Sequence, residues 1–129
     1  EKIMQLGMQF RIQSICYDRW NASQLVIDLT NENVPMEPFG QGFQSMSAPT
    51  KELEKLILGQ QIIHDGNPVM SWMLSNIALQ EDPAGNIKPN KAKSTEKIDG
   101  IVALIQALGS YMTEGNMNSV YDGRGLLIL

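Results

Sequence analysis

The most regular apolar pattern in the chain runs from Ile98 to Met112, with Ile98, Ile101, Val102, Ile105, Leu108 and Met112 spaced along one helix face. It predicts a buried helix, capped by Ser94 or Thr95, with Glu96 in the first turn where its charge suits the positive end of the dipole. At about 100° per residue, Asp99 falls on the edge of that stripe. A carboxylate beside a buried face loses hydration, so it calls for a cation, a metal or a hydrogen-bond donor. An acid in the first turns of a helix also serves simply as a partner for the dipole.

The remaining patterns arrange shorter elements before this helix. Glu1 to Leu6 reads as the end of a helix with no visible beginning, terminated by Gly7, as if cut from a longer chain. From Phe10 to Tyr17 the pattern alternates and then becomes continuously apolar, which predicts a strand whose far end is buried on both faces. Asp18 stands where that strand stops. Asn21 or Ser23 then opens a helix with Ala22, Leu25, Val26 and Leu29 on one side, closed by Asn31 to Asn33. A second strand follows from Val34 to Phe39, its prolines placing it at an edge or marking its ends. Strand, helix and strand at this spacing imply a right-handed parallel crossover. Open parallel sheets bind ligands beyond the carboxyl ends of their strands, and Asp18 is on that side.

Gly40 to Ser47 reads as a flexible loop, without the Gly-Lys-Ser/Thr ending of a phosphate-binding loop. Thr50 is expected to cap a helix from Lys51 to about Ile63 that buries Leu53, Leu56, Ile57 and Gln60, with His64 at its end capping carbonyls. Asn67 to Leu74 predicts a short helix begun by Pro68, with Trp72 in the core or as a packing anchor and the methionines as gap-fillers. Ile77 to Pro89 predicts a hairpin around Asp82-Pro83-Ala84-Gly85. Lys88, Lys91, Lys93 and Lys97 form the one local basic cluster, read either as a solvated loop or as an edge that guides phosphates.

Composition narrows the classes. At 129 residues, 43% hydrophobic and 19% charged, the chain is expected to form one globular domain with its own core. No apolar run is long enough to cross a bilayer, and Glu1-Lys2-Ile3-Met4 lacks a signal-peptide pattern, so a cytosolic protein is expected. The single cysteine, Cys16, cannot form an internal disulfide and is expected to be a buried, inert thiol. A net charge of −4 argues against indiscriminate nucleic-acid binding, so any contact with DNA must be local.

Several stretches carry a family likeness: Tyr17-Asp18-Arg19-Trp20-Asn21-Ala22, Pro38-Phe39-Gly40-Gln41-Gly42-Phe43, Met46 to Glu54, His64-Asp65-Gly66-Asn67-Pro68-Val69, Glu81 to Pro89, and Lys97-Ile98-Asp99-Gly100. In order and spacing they resemble the carboxyl-terminal nuclease domain of the large terminase subunit of tailed bacteriophages, over nearly the whole chain, and Val120 to Leu126 resembles the end of such a protein. The resemblance implies an α/β, ribonuclease H-like mixed sheet flanked by helices, here without its first strands. It implies one part, residues 1–129, of a nuclease domain whose ATP-driven motor half is absent, so that ATP enters only through that half. The activity it implies is cutting concatenated double-stranded viral DNA to packaged lengths by two-metal phosphodiester hydrolysis with Mg²⁺ or Mn²⁺.

By the same resemblance Asp18 matches the family's strand-end acid and Asp99 the acid of its last helix, both as catalytic metal ligands, while the first-strand acid would lie before Glu1. Lys93 and Lys97 are then expected to steer the DNA backbone, and His64 and Asn67 to shape the rim of the site. The partners implied are DNA, the small terminase subunit and the capsid portal, in the cytoplasm of an infected host or a lysogen, with no membrane. Two alternatives stay open: a DNA- or portal-docking module without chemistry, or another ribonuclease H-like nuclease such as a Holliday-junction resolvase.

Overall fold

Residues 1–20, 23–118 and 127–128 are described by a computed structural model, in which they form five α-helices and six short strands. The chain divides into two compact units, Glu1–Gly40 and Gln41–Leu129.

The first unit opens with α1 (Lys2–Gln9), which continues through Gly7 rather than ending there. Glycine stops a helix by entering the left-handed region, and Gly7 does not enter it. The cap falls instead at extended Phe10, whose N–H still reaches the Leu6 carbonyl at 2.8 Å. The expected strand from Phe10 is shorter: a local Ile12 N–H to Phe10 carbonyl bond of 3.1 Å takes up the backbone, and β1 spans only Ile15–Tyr17. All three of its residues are half-buried, Cys16 included, so neither the doubly covered strand end nor the buried thiol is seen.

The helix α2 (Ser23–Asn31) begins at Ser23 and buries Leu29, while Leu25 stays exposed; Asn21 and Ala22 lie outside the described residues. Asn33 closes it at φ 59°, a left-handed angle that asparagine tolerates, and the Val34 N–H returns to the Leu29 carbonyl at 3.0 Å. The short strand β2 (Met36–Pro38) then pairs parallel with β1 in the register Ile15↔Met36, Cys16↔Glu37, Tyr17↔Pro38. Pro35 and Pro38 fit because the ladder uses the Pro35 carbonyl and ends at Pro38. The expected parallel strand–helix–strand arrangement is therefore present.

In the second unit, α3 (Phe43–Leu58) begins eight residues before the expected start at Lys51, so part of the stretch read as a loop forms its first turns. Pro49 lies inside this helix, where proline deletes a backbone donor. Thr50 Oγ1 donates back to the Met46 carbonyl at 2.6 Å, and buried Ser47 Oγ accepts the Ile87 N–H at 3.1 Å. At the far end Gly59 and left-handed Gln60 (φ 51°) stop the helix well before Ile63, leaving Gln60 exposed. Ile62–Ile63 forms β3 instead, parallel to β6 (Leu127–Ile128).

The helix α4 (Pro68–Asn76) starts at its proline as expected, with Asn67 Oδ1 accepting the N–H groups of Val69 and Met70. Trp72 is 45% exposed rather than a core anchor. The antiparallel hairpin of β4 (Leu79–Glu81) and β5 (Ile87–Pro89) turns on Asp82, whose carboxylate accepts from the Ala84 and Asn86 N–H groups and from the Asn86 amide. Lys51 and Lys88 tie the hairpin to the rest of the unit: Lys51 Nζ donates to the Gly85 carbonyl, and Lys88 Nζ to that of Gln41 while lying 5.0 Å from the Phe43 ring centre.

The last helix, α5 (Asp99–Asn118), with Ile98 just before it, supplies the largest share of the core among the described residues. Ile98, Ile101 and Ile105 are the largest fully buried side chains, with Val102 and Leu108 beside them and Met112 half-buried, as the spacing predicts. It packs on α3 and α4, and α3 also covers β5. Gly100 permits the closest approach: its N–H donates to Met73 Sδ at 3.2 Å, and a Cβ there would meet that sulfur at 2.7 Å. The expected mixture of parallel and antiparallel pairing is present, distributed over three two-stranded pairs among the described residues. No helix among these residues is long and apolar enough to cross a membrane.

Candidate functional site

The approach to Asp99 is built by hydrogen bonds that the apolar pattern does not reveal. After β5, Asn90 Oδ1 accepts the N–H groups of Ala92 and Lys93 at 3.0 and 3.1 Å, which folds the chain back on itself. Ser94 Oγ donates to the Asn90 carbonyl at 2.7 Å and accepts the Ala78 N–H at 3.1 Å. Thr95 binds the Asn76 carbonyl through both its N–H and its hydroxyl. Neither residue caps α5, contrary to expectation, because both fasten the 91–97 loop to the hairpin base and the end of α4. Buried Ile98 then anchors the chain, and Asp99 is the first residue of the helix.

The Asp99 side chain is 64% exposed, so the desolvation expected at the edge of the stripe is slight. Its partner is Lys91, whose ammonium donates to Oδ1 at 2.7 Å. That hydrogen bond, and next the charge of Lys91, hold the Asp99 carboxyl below the usual carboxylate range, with a smaller pull from Lys97. Asp99 is thus a carboxylate at neutral pH, presented at a helix start. Lys91, Ser94, Glu96, Lys97, Ile98 and Asp99 line an open cavity of about 430 Å³.

The other residues singled out in the sequence have separate settings. Lys97 joins Asp99 at the cavity, whereas exposed Lys93 is not among its lining residues and Lys88 is engaged with Gln41 and Phe43. Asn67 spends its side-chain oxygen capping α4, and His64 Nδ1 accepts the Gly66 N–H at 3.0 Å. In the first unit Asp18 follows directly on β1, beyond its carboxyl end, and its Oδ1 accepts the Trp20 N–H at 3.1 Å. Arg19 lies over the exposed Trp20 ring, 5.4 Å from its centre. Among the described residues no three His, Cys, Asp or Glu side chains form a metal-binding group. Lys91 is the residue whose pairing with Asp99 the sequence reading missed: the two are eight positions apart across a folded loop, a spacing that no helix or strand period marks.

Residues 1–115 match the family model described as terminase large subunit, endonuclease domain. The chain belongs to that family. Over 103 residues it is 35% identical to the terminase large subunit of Enterobacteria phage HK97, a match covering 78% of this chain and 20% of that protein. Over 107 residues it is 39% identical to Protein YmfN of Escherichia coli strain K12, covering 81% of this chain and 24% of that protein. The crystal structure of the HK97 bacteriophage large terminase superposes with a TM-score of 0.77 at 33% identity, over 84% of this chain and 23% of that one. The resemblance read from the sequence is borne out, as is the ribonuclease H-like α/β class. The chain spans between a fifth and a quarter of the length of these curated relatives.

Proposed function

We propose that this chain forms part of a divalent-metal-dependent endonuclease that cuts concatenated double-stranded viral DNA during packaging. The observation that carries the reading is the Asp99 carboxylate: exposed, ionised beside Lys91, and fixed at the start of the best-buried helix in a chain of this family. Asp18 and Asp99 are the proposed ligands of Mg²⁺ or Mn²⁺, both ions that prefer hard oxygen donors. Ionised, exposed Asp99 fits that donor chemistry without needing to lose a proton. When bound, such metal supplies an activated water and stabilises the leaving oxygen in phosphodiester hydrolysis.

The chain's own residues have simpler tasks. Ile98 and the α5 core hold the backbone of Asp99 still, so its carboxylate is placed without a search over loop conformations. Exposed Lys93 and Lys97 attract the DNA backbone, a contact that positions without reading sequence. His64 and Asn67 hold the turn before α4 and so set the shape of a neighbouring edge. The small terminase subunit and the capsid portal are the proposed protein partners, with ATP used by a motor domain, in the cytoplasm of the bacterial host.

The test converts supercoiled plasmid with the full-length protein in Mn²⁺. Asp18→Asn and Asp99→Asn are each expected to lower nicking by at least about 100-fold, beyond the usual loss from outer-shell changes, while leaving the fold intact. Nicking at the wild-type rate by Asp99→Asn ends the proposal. A wild-type protein that retains DNA but never nicks it points instead to a docking module.

A further inference from the structure

If Asp99 is a metal ligand as proposed above, its ion pair governs how a metal would reach it. Lys91 Nζ sits 2.7 Å from Asp99 Oδ1, a charge-assisted contact on an oxygen that a divalent cation would also use. Mg²⁺ binds carboxylate oxygen at about 2.0–2.1 Å, so an ammonium on the same carboxylate would place a second positive charge within a few ångströms of it. The pair is open to water, with side chains 55% and 64% exposed, and is therefore weak enough to be displaced.

We infer that Lys91 is a stand-in cation for Asp99: its ammonium neutralises the carboxylate until a divalent metal takes its place, so the ion pair and the metal exclude one another. The surrounding geometry suits such an exchange. Asn90 and Ser94 fasten the backbone on either side of Lys91, so release requires only the lysine side chain to swing. Glu96 lines the same cavity and offers the released ammonium another carboxylate. Lys97 lines it too, but the hydrogen bond to Asp99 is made by Lys91. The pair thus keeps the carboxylate compensated at low metal concentration and raises the concentration needed to fill the site.

The test titrates Mn²⁺ into the full-length protein, read by electron paramagnetic resonance, and assigns to this site the binding that Asp99→Asn removes. Lys91→Met, which keeps most of the hydrocarbon stem, is expected to tighten that binding roughly two- to fivefold, the range set by an exposed ion pair. Lys91→Arg keeps the charge and is expected to stay near wild type. Tightening in Lys91→Met with wild-type behaviour in Lys91→Arg supports the exchange. If Lys91→Met leaves the affinity unchanged or weakens it, Lys91 merely holds the loop and the exchange is refuted, while the metal site stands. If Asp99→Asn removes no Mn²⁺ binding, the metal-site reading fails and this inference with it.

Discussion

Replacing Ile98 with alanine tests whether the residue before Asp99 is the anchor described above. Ile98 is 2% exposed and ranks with Ile101 and Ile105 as the largest fully buried side chains. Ile→Ala removes three carbons, which at about 0.8 kcal/mol each gives roughly 2.4 kcal/mol of lost transfer energy. A partly relaxed cavity adds to this, so the expected loss is about 3–4 kcal/mol, within the range for such core truncations. Leu58→Ala is the control: Leu58 is 78% exposed, and its loss is expected to stay within about 0.5 kcal/mol. Native-state hydrogen exchange at the α5 amides reads both variants in the intact protein, because global and sub-global opening limits protection in a core helix. A loss below about 1 kcal/mol for Ile98→Ala would refute the view that packing, rather than the loop's hydrogen bonds, fixes Asp99.

Gly100→Ala is expected to destabilise by about 1–2 kcal/mol, since the added methyl meets Met73 Sδ at 2.7 Å and overpacking outweighs the gain in helix propensity. Met73→Ala should relieve that particular penalty in a double-mutant cycle by thermal denaturation. Asn67→Ala removes the oxygen that caps Val69 and Met70 and is expected to cost about 1 kcal/mol, seen as a lower melting temperature. The Asp82 carboxyl is held below its ordinary value of 3.8, first by the side-chain hydrogen bond from Asn86 and then by the Asn86 backbone N–H. Its stabilising contribution is therefore complete above that value and lost as pH falls through the lower folded value; Asp82→Asn should flatten this part of the acid stability profile. Lys91→Met should raise the Asp99 pKa toward 3.8 in a side-chain NMR titration, because the first cause of its depression is gone.

What the sequence disclosed about the fold followed the strength of each pattern. The Ile98–Met112 stripe was legible because its apolar residues keep one helical period against one core, although Gln106 and Ser110 are buried beside them. The β4–β5 hairpin was legible through local turn chemistry, with Asp82 accepting three hydrogen bonds and Gly85 taking φ 79°. The early start of α3 was not legible. Its first turns are fastened from outside by the Ser47 hydroxyl, which accepts the Ile87 N–H, and from within by the Thr50 hydroxyl on the Met46 carbonyl, and neither contact leaves a period in the sequence. Trp72 misled for a related reason: its chemical character argues for burial, but α4 turns it partly to solvent and uses Met73 to meet Gly100.

The site divides along the same line. The place of Asp99 beside the stripe could be read because it is a property of helix geometry, while its candidate role came from the family resemblance. Its surroundings depend on a loop whose conformation is set by Asn90, Ser94 and Thr95 reaching Asn76, at the end of α4, and Ala78, just before β4. Such side-chain-to-backbone bonds carry no period, so the apolar pattern placed the helix cap at Ser94 or Thr95 when those hydroxyls were already committed elsewhere. The consequence reaches the chemistry. Once the loop is folded this way, Lys91 rather than the nearer-in-sequence Lys97 makes the contact with Asp99, and the carboxyl's pKa is lowered by a neighbour that only the fold could select.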